Sequence, residues 1–274
     1  MIRRILSTAG IEFRIALRNR WVTIAVVMMA LFALVLSAAG SAPTGALGAD
    51  RLSVTVASLT SLSVYLVPLI ALLISFDAIA GEVERGTLPL LMTYPVTRGE
   101  VLLGKLAAQL GVVALAVVLG YAVAAVAALV TDPAAAEGLP ALWRLIWTST
   151  LLGASFLALG HAASCLARRP SGAAGMAIGL WLIFVVLYDL GLLVAVVGDD
   201  GGVFTKQVFP WLLVLNPADA FRIYNLASSD AVGAATGLGG AAGSIAAWKP
   251  LLSLILWPVG AALLARAAFG RVQP

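Results

Sequence analysis

The chain opens with a stretch of mixed polarity and then turns into a series of long apolar runs. In Ile2–Asn19, the apolar positions Ile2, Ile5, Leu6, Ala9, Phe13, Ala16 and Leu17 fall on one helical face, and Arg3, Arg4, Glu12, Arg14 and Arg18 fall elsewhere. That spacing predicts an amphipathic helix over residues 1–20, lying in a membrane interface with its basic side toward lipid head groups. The alternative is a helix packed on a partner. Six membrane spans are then expected, at Trp21–Ser37, Leu59–Phe76, Leu106–Val130, Leu145–Leu166, Ala173–Val197 and Lys249–Ala268. A helix needs roughly 20 apolar residues to cross the hydrocarbon core. Trp21, Trp143, Trp147 and Trp248 stand at span ends, where indole rings favour the interface. Pro68 and Pro258 lie inside spans, where neighbouring helices can re-satisfy the backbone groups they free, so kinks rather than breaks are expected.

Composition agrees with the pattern. Of 274 residues, 62% are hydrophobic and 11% charged, against about 25% charged in a soluble domain. A chain this apolar cannot cover itself with polar surface. Cys165 is the one cysteine, which excludes an intrachain disulfide. No cleavable signal is expected, because the first apolar run is long and lacks a small-residue cleavage pattern. Placing the N-terminus in the cytoplasm puts twelve Lys and Arg residues inside and five outside. Both termini are therefore expected inside, and the net charge of +4 reads as topology rather than as a nucleic-acid footprint.

One connection breaks the apolar monotony: DAIAGEVERGTLPLLMTYPVTRGEVLLGK, residues 77–105, with seven charged residues. In the predicted topology it is cytoplasmic. Gly81 and Gly86 permit sharp turns. Thr87 can cap a short helix with Pro89 in its first turn, and Tyr94-Pro95 ends it. Thr97-Arg98-Gly99-Glu100 matches a capping box for the third span. The reading is a compact short helix, charged outside and apolar inside through Leu88, Leu90, Leu91 and Met92, built to receive a partner. The bland reading is a solvated loop that fixes topology. Gly99 to Lys105 imitates a phosphate loop, but Leu106 stands where a Ser or Thr is required and no strand precedes it.

The same stretch resembles the cytoplasmic motif of ABC-2-type permeases, the membrane halves of ABC transporters. Within them it looks most like the NosY group, which serves copper handling for nitrous oxide reductase maturation. The six-span plan, the leading helix and the outer stretch LNPADAFRIYNLA (Leu215–Ala227) look like that group too. The resemblance implies an all-α membrane protein, a single permease domain over residues 1–274, working as a homodimer in a bacterial inner membrane. It implies that Gly81, Glu82, Glu84, Arg85, Gly86 and Thr87 form a coupling segment that docks in a separate, NosF-like ATPase, with Arg98 and Glu100 flanking it. ATP and Mg would belong to that ATPase, and no cofactor is expected in this chain.

Candidate ligands for a transported metal are sparse. His161 and Cys165, one helical turn apart, are weak candidates, with Met176 nearby if spans four and five pack together; a buried histidine beside a small packing cysteine is the plainer reading. Asp189 falls within span five, where a carboxylate is costly and faces a partner or a wet cavity, unless the span ends early. Gly172, Gly175 and Gly179 allow close helix packing or dimerisation. The outer segment, residues 198–248, is expected to dip short helices into the outer leaflet. Asn216, Pro217, Asp219, Phe221 and Arg222 are its candidates for binding a periplasmic, NosD-like partner: Phe221 as anchor, Asp219 and Arg222 as polar registers. Local folding is their alternative, with Asn216-Pro217 starting a helix and Asp219 in its positively polarised first turn. With so few ligands, the permease would act as a lever on an outer partner. The rivals are an exporter of a lipid, drug or sulfur-containing compound, and a static membrane anchor.

Overall fold

A computed structural model describes residues 9–15, 20–39, 51–167, 169–199, 201–226 and 245–273. Expectations placed on residues 2–8, 16–19, Arg168, Asp200 and the Gly/Ala-rich tract 227–244 lie outside the described residues, as do the side chains of Trp21 and Arg51.

All regular structure among the described residues is helical. Residues 9–15 form α1. Then come α2 (Arg20–Ala39), α3 (Arg51–Ser75), two short helices α4 (Ala80–Glu84) and α5 (Thr87–Met92), and the long α6 (Arg98–Thr131). A 3-10 turn, Pro133–Gly138, leads into α7 (Leu139–Leu166). One further membrane-length helix, Pro170–Asp199, consists of α8 (Pro170–Trp181), a π-helical turn Leu182–Leu187 and α9 (Tyr188–Asp199). A second π-helical turn, Phe204–Val208, runs into α10 (Phe209–Leu215), followed by α11 (Pro217–Leu226) and α12 (Trp248–Gly270).

Among the described residues, five helices are long and apolar enough to cross a membrane: Thr55–Glu84, Arg98–Thr131, Ala135–Leu166, Pro170–Asp199 and Trp248–Gly270. They coincide with five of the six expected spans. Where the first is expected, α2 is helical, and its part Val26–Val35 counts as a shorter apolar helix. Pro68 and Pro258 lie within α3 and α12 and interrupt neither.

The helix α7 is the centre of the bundle. Its most apolar stretch is 78% buried, against 11% for Pro170–Asp199, so the first faces protein and the second mostly faces outward. Packed around α7 are α12, α3 and α6. Glycines allow that proximity: a Cβ at Gly160 would clash with Ser75 Oγ, and one at Gly153 would come within 2.7 Å of Val113. Hydroxyls add polar links where no water is available to compete. Tyr121 on α6 is hydrogen-bonded to Ser63 on α3 and, at 3.1 Å, to Ser149 on α7. Edge-on aromatic contacts run Phe156–Phe184–Trp257, joining α7, the first π-helical turn and α12.

Candidate functional site: the α4–α5 elbow and the α11 cluster

The charged connection folds as two short helices rather than one. The turn between them is made by Gly86, whose φ of +67° is the left-handed conformation open to glycine. Gly86 is thus the N-cap of α5, and Thr87, expected as the cap, is its first residue, donating its hydroxyl to Glu82 O at 3.3 Å. Gly81 makes no turn: it sits inside α4, and a Cβ there would clash with the Asp77 carboxylate. Asp77 in turn pairs with Arg85 at 3.2 Å on the surface.

Three attachments fix this elbow to the bundle. Ile79, the N-cap of α4, offers no side-chain acceptor. Ser164 on α7 supplies one, accepting hydrogen bonds from Ile79 N at 3.0 Å and Ala80 N at 2.9 Å. It therefore caps α4 from another helix and satisfies two of its open donors. The second attachment is ionic. Lys105 on α6, its side chain 4% exposed, donates to Glu82 Oε1 and to Glu12 Oε1, both at 2.6 Å. One ammonium thus joins α4, α6 and α1. The third is apolar: Ile79 and Leu88 are buried with Val101, Leu102, Ala162, Cys165, Ala265 and Phe269.

The exit from the elbow is capped as expected. Thr97 Oγ1 accepts from Glu100 N, and the Glu100 carboxylate accepts from Thr97 N at 2.9 Å. Gly99, Gly104 and Lys105 consequently lie in continuous α-helix and form no loop around a phosphate. Arg98 has a task the sequence reading did not give it. Its Nη1 donates to the carbonyls of Phe269 and Val272, both at 2.7 Å, and its guanidinium lies over the Phe269 ring. It closes the C-terminal end of α12, where carbonyls lack helical partners.

What the elbow shows to the outside is Glu84, Arg85, Gly86, Thr87, Pro89, Leu90 and Tyr94. Leu90, expected inside, is 66% exposed, beside Tyr94 at 65%. Alternation within a six-residue helix turns Leu88 inward and Leu90 away. Glu82 and Glu100 are directed toward Lys105 and Thr97, so their carboxylates serve the elbow itself.

At the opposite end of the bundle, the structure brings Asp189 together with the α11 candidates. Arg222 Nη1 donates to Asp189 Oδ2 at 3.0 Å and to Asp219 Oδ1 at 3.2 Å. Asn216 donates to Asp219 Oδ2 at 3.0 Å and to Phe184 O at 2.7 Å, while its own Oδ1 accepts from Ala218 N. Asn216 therefore caps α11 and holds it to the first π-helical turn. Asp219 is 2% exposed, and burial, helped by the negative charge of Asp189 and opposed by Arg222, pushes its carboxyl up to about 8. Phe221 and Pro217 are buried as well, so Phe221 is placed as a core residue and not as an exposed anchor. Asn225, which was not singled out from sequence, donates to Thr148 on α7 at 3.0 Å.

His161 is fully buried, and its Nδ1 lies 2.8 Å from Leu157 O, one turn back on its own helix. Cys165 packs in the apolar cluster under the elbow. Met176 is exposed on α8. Among the described residues, no three of His, Cys, Asp and Glu come together as metal ligands.

Comparison with known proteins fits this arrangement. Residues 6–273 match the model of the family described as ABC-2 family transporter protein. A protein of Pseudomonas aeruginosa named "Probable ABC transporter permease protein NosY" is 44% identical over 264 residues, covering 95% of each chain. One of the same name from Stutzerimonas stutzeri is 40% identical over 258 residues, covering 93% of this chain and 92% of its own. A helical membrane bundle with a polar elbow tied to its central helices, matched over nearly its whole length, belongs to the ABC-2 family of transporter proteins, as a permease.

Proposed function

We propose that this chain is a six-span, NosY-type permease that works as a homodimer, receives ATP-driven movement from a separate ATPase at the α4–α5 elbow, and passes it to a periplasmic partner at the α11 end. The event served is copper delivery for nitrous oxide reductase maturation. Both termini and the elbow are cytoplasmic in this reading, and α2 is the first span.

The observation that carries the proposal is the three-way attachment of the elbow. Ser164 ties α4 to α7, Lys105 ties it to α6 and α1, and Leu88 is buried against α6, α7 and α12. A loop needed only for connection would make few such contacts. An elbow held this way moves the membrane helices when it is moved. The exposed face from Glu84 to Thr87, with Pro89, Leu90 and Tyr94, is the docking surface. At the other end, α11 is held to the membrane helix Pro170–Asp199 by Arg222–Asp189 and Asn216–Phe184, and to α7 by Asn225–Thr148. Helix displacements therefore reach α11, where the periplasmic partner binds over the buried Asn216–Phe221 group with Arg222 at its margin.

The test is purification with the ATPase and the outer copper-handling protein, followed by ATP-dependent copper transfer. Leu90→Asp is expected to lose the ATPase. Ser164→Ala is expected to retain it while weakening transfer. Retention of the ATPase and full transfer by both variants would sink the reading. ATPase stimulation by a small compound, with vesicle transport and no outer partner, would make the protein an exporter instead. An outer partner unchanged by ATP would make it an anchor.

A further inference from the structure

A groove of about 340 Å³ runs between α10 and the first turns of α12, lined by Trp211, Trp248, Lys249, Leu252, Leu256 and Trp257 among others. None of these residues takes part in the elbow or in the Asp189–Asp219–Arg222 cluster. The volume is that of a small-molecule site, whose usual range begins near 300 Å³. The groove is open, and its lining holds one cation and no carboxylate.

Polarity changes along its length. At one end Trp211 and Trp248 are 60% exposed, and the Lys249 ammonium lies 4.2 Å from the centre of the Trp211 ring. Tryptophan and lysine together at the start of a membrane helix mark the head-group level. From Lys249 to Leu256 the helix descends about 10 Å at its normal rise, within the ~15 Å of a single leaflet's hydrocarbon. Over that distance the wall is Leu252, Leu256, Val214 and Leu215, and the Trp257 indole is satisfied by Leu215 O at 2.7 Å. The polar end is cationic and the descending part is hydrocarbon.

We infer that this groove binds one anionic phospholipid from the leaflet at the α11 end, its phosphate on Lys249 between Trp211 and Trp248 and an acyl chain along Leu252 and Leu256. Charge complementarity selects this occupant. A zwitterionic lipid offers the same chain but cancels the head-group charge that Lys249 would meet. A bound lipid would join α10 to α12, and so tie the element before α11 to the last membrane helix.

The experiment is native mass spectrometry of the full chain in mild detergent, titrated with phosphatidylglycerol or phosphatidylcholine of identical acyl chains. Wild type is expected to keep one phosphatidylglycerol in preference to phosphatidylcholine. Lys249→Gln should reduce that preference about fivefold, the effect of one basic side chain near an anionic head group. Lys206→Gln, an exposed cation that does not line the groove, should leave it intact. Leu252→Trp fills the groove and should remove the retained lipid; the thermal midpoint of each variant in the same detergent reports that the bundle is still folded. Equal retention of the two lipids by wild type, or an unchanged preference in Lys249→Gln, would overturn the proposal. So would complete disulfide cross-linking between copies carrying Cys165→Ser and Leu252→Cys, which would give the groove to a second copy of the chain.

Discussion

Removing the Lys105 ammonium would leave the Glu12 and Glu82 carboxylates facing a site where that side chain is 4% exposed. Breaking a buried ionic group by deleting one partner costs about 3–5 kcal/mol. Lys105→Met is therefore expected to lower the thermal midpoint in detergent strongly, and adding Glu12→Gln and Glu82→Gln to it should recover part of the loss. Asp219 gives a pH signature of the opposite kind. Its carboxyl is raised from 3.8 to about 8 in the folded chain, so between those values the folded state binds more protons than the unfolded one. Stability must then fall as pH rises from about 4 toward 8. The protection of the α11 amides, after correction for the intrinsic exchange rate at each pH, is expected to be greater at pH 5 than at pH 8, and Asp219→Asn should flatten that difference in protection. The residues involved were visible in the sequence, but their roles were not. Glu12 and Lys105 are 93 positions apart, and Asp189 and Arg222 are 33 apart, so no local spacing pairs them.

Elements were easiest to foresee where their signals are local. The Thr97–Glu100 capping box, the break at Tyr94-Pro95 and the C-terminal ends of the membrane helices depend on neighbours in sequence, and the structure follows them. By contrast, α3, α6 and α7 begin at Arg51, Arg98 and Leu139, well before the expected Leu59, Leu106 and Leu145, because their first turns continue beyond the apolar run. The elbow was legible as a structured, polar insertion, but not in its detail. Its cap comes from Ser164, 85 residues after Ile79, and a serine in a transmembrane helix gives no hint of such a task. The π-helical turn Leu182–Leu187, sequence LIFVVL, carries no glycine or proline to announce it. Gly86 and Ser164 support the elbow differently and can be separated. Gly86→Ala meets no neighbour within 4 Å but keeps a positive φ, at a cost of about 1–2 kcal/mol; Gly99→Ala, in ordinary helix, should cost nothing. Ser164→Ala removes a cap worth ~1 kcal/mol, and the expected readout is faster exchange of the Ile79 and Ala80 amides with the rest of α7 unchanged.

At the level of the whole molecule, the distribution of burial separates a packed centre from an open flank. Gly160 lies under Ser75 in the centre, whereas Gly175 and Gly179 on α8 have nothing within 4 Å. Gly160→Ala is expected to destabilise the chain by about 1–3 kcal/mol through overpacking. Gly175→Leu and Gly179→Leu should leave the thermal midpoint within error and, in the homodimeric reading, reduce the dimer fraction measured by mass photometry. The Arg98 clamp adds a constraint of timing. Its acceptors at Phe269 and Val272 lie 171 and 174 residues later in the chain, so they do not exist while the ribosome is still making the earlier helices. The elbow emerges early, yet one of its borders is closed only when the last membrane helix has been translated and inserted. A half-made chain thus keeps that border of the elbow open, and the clamp can close only after synthesis has passed residue 272.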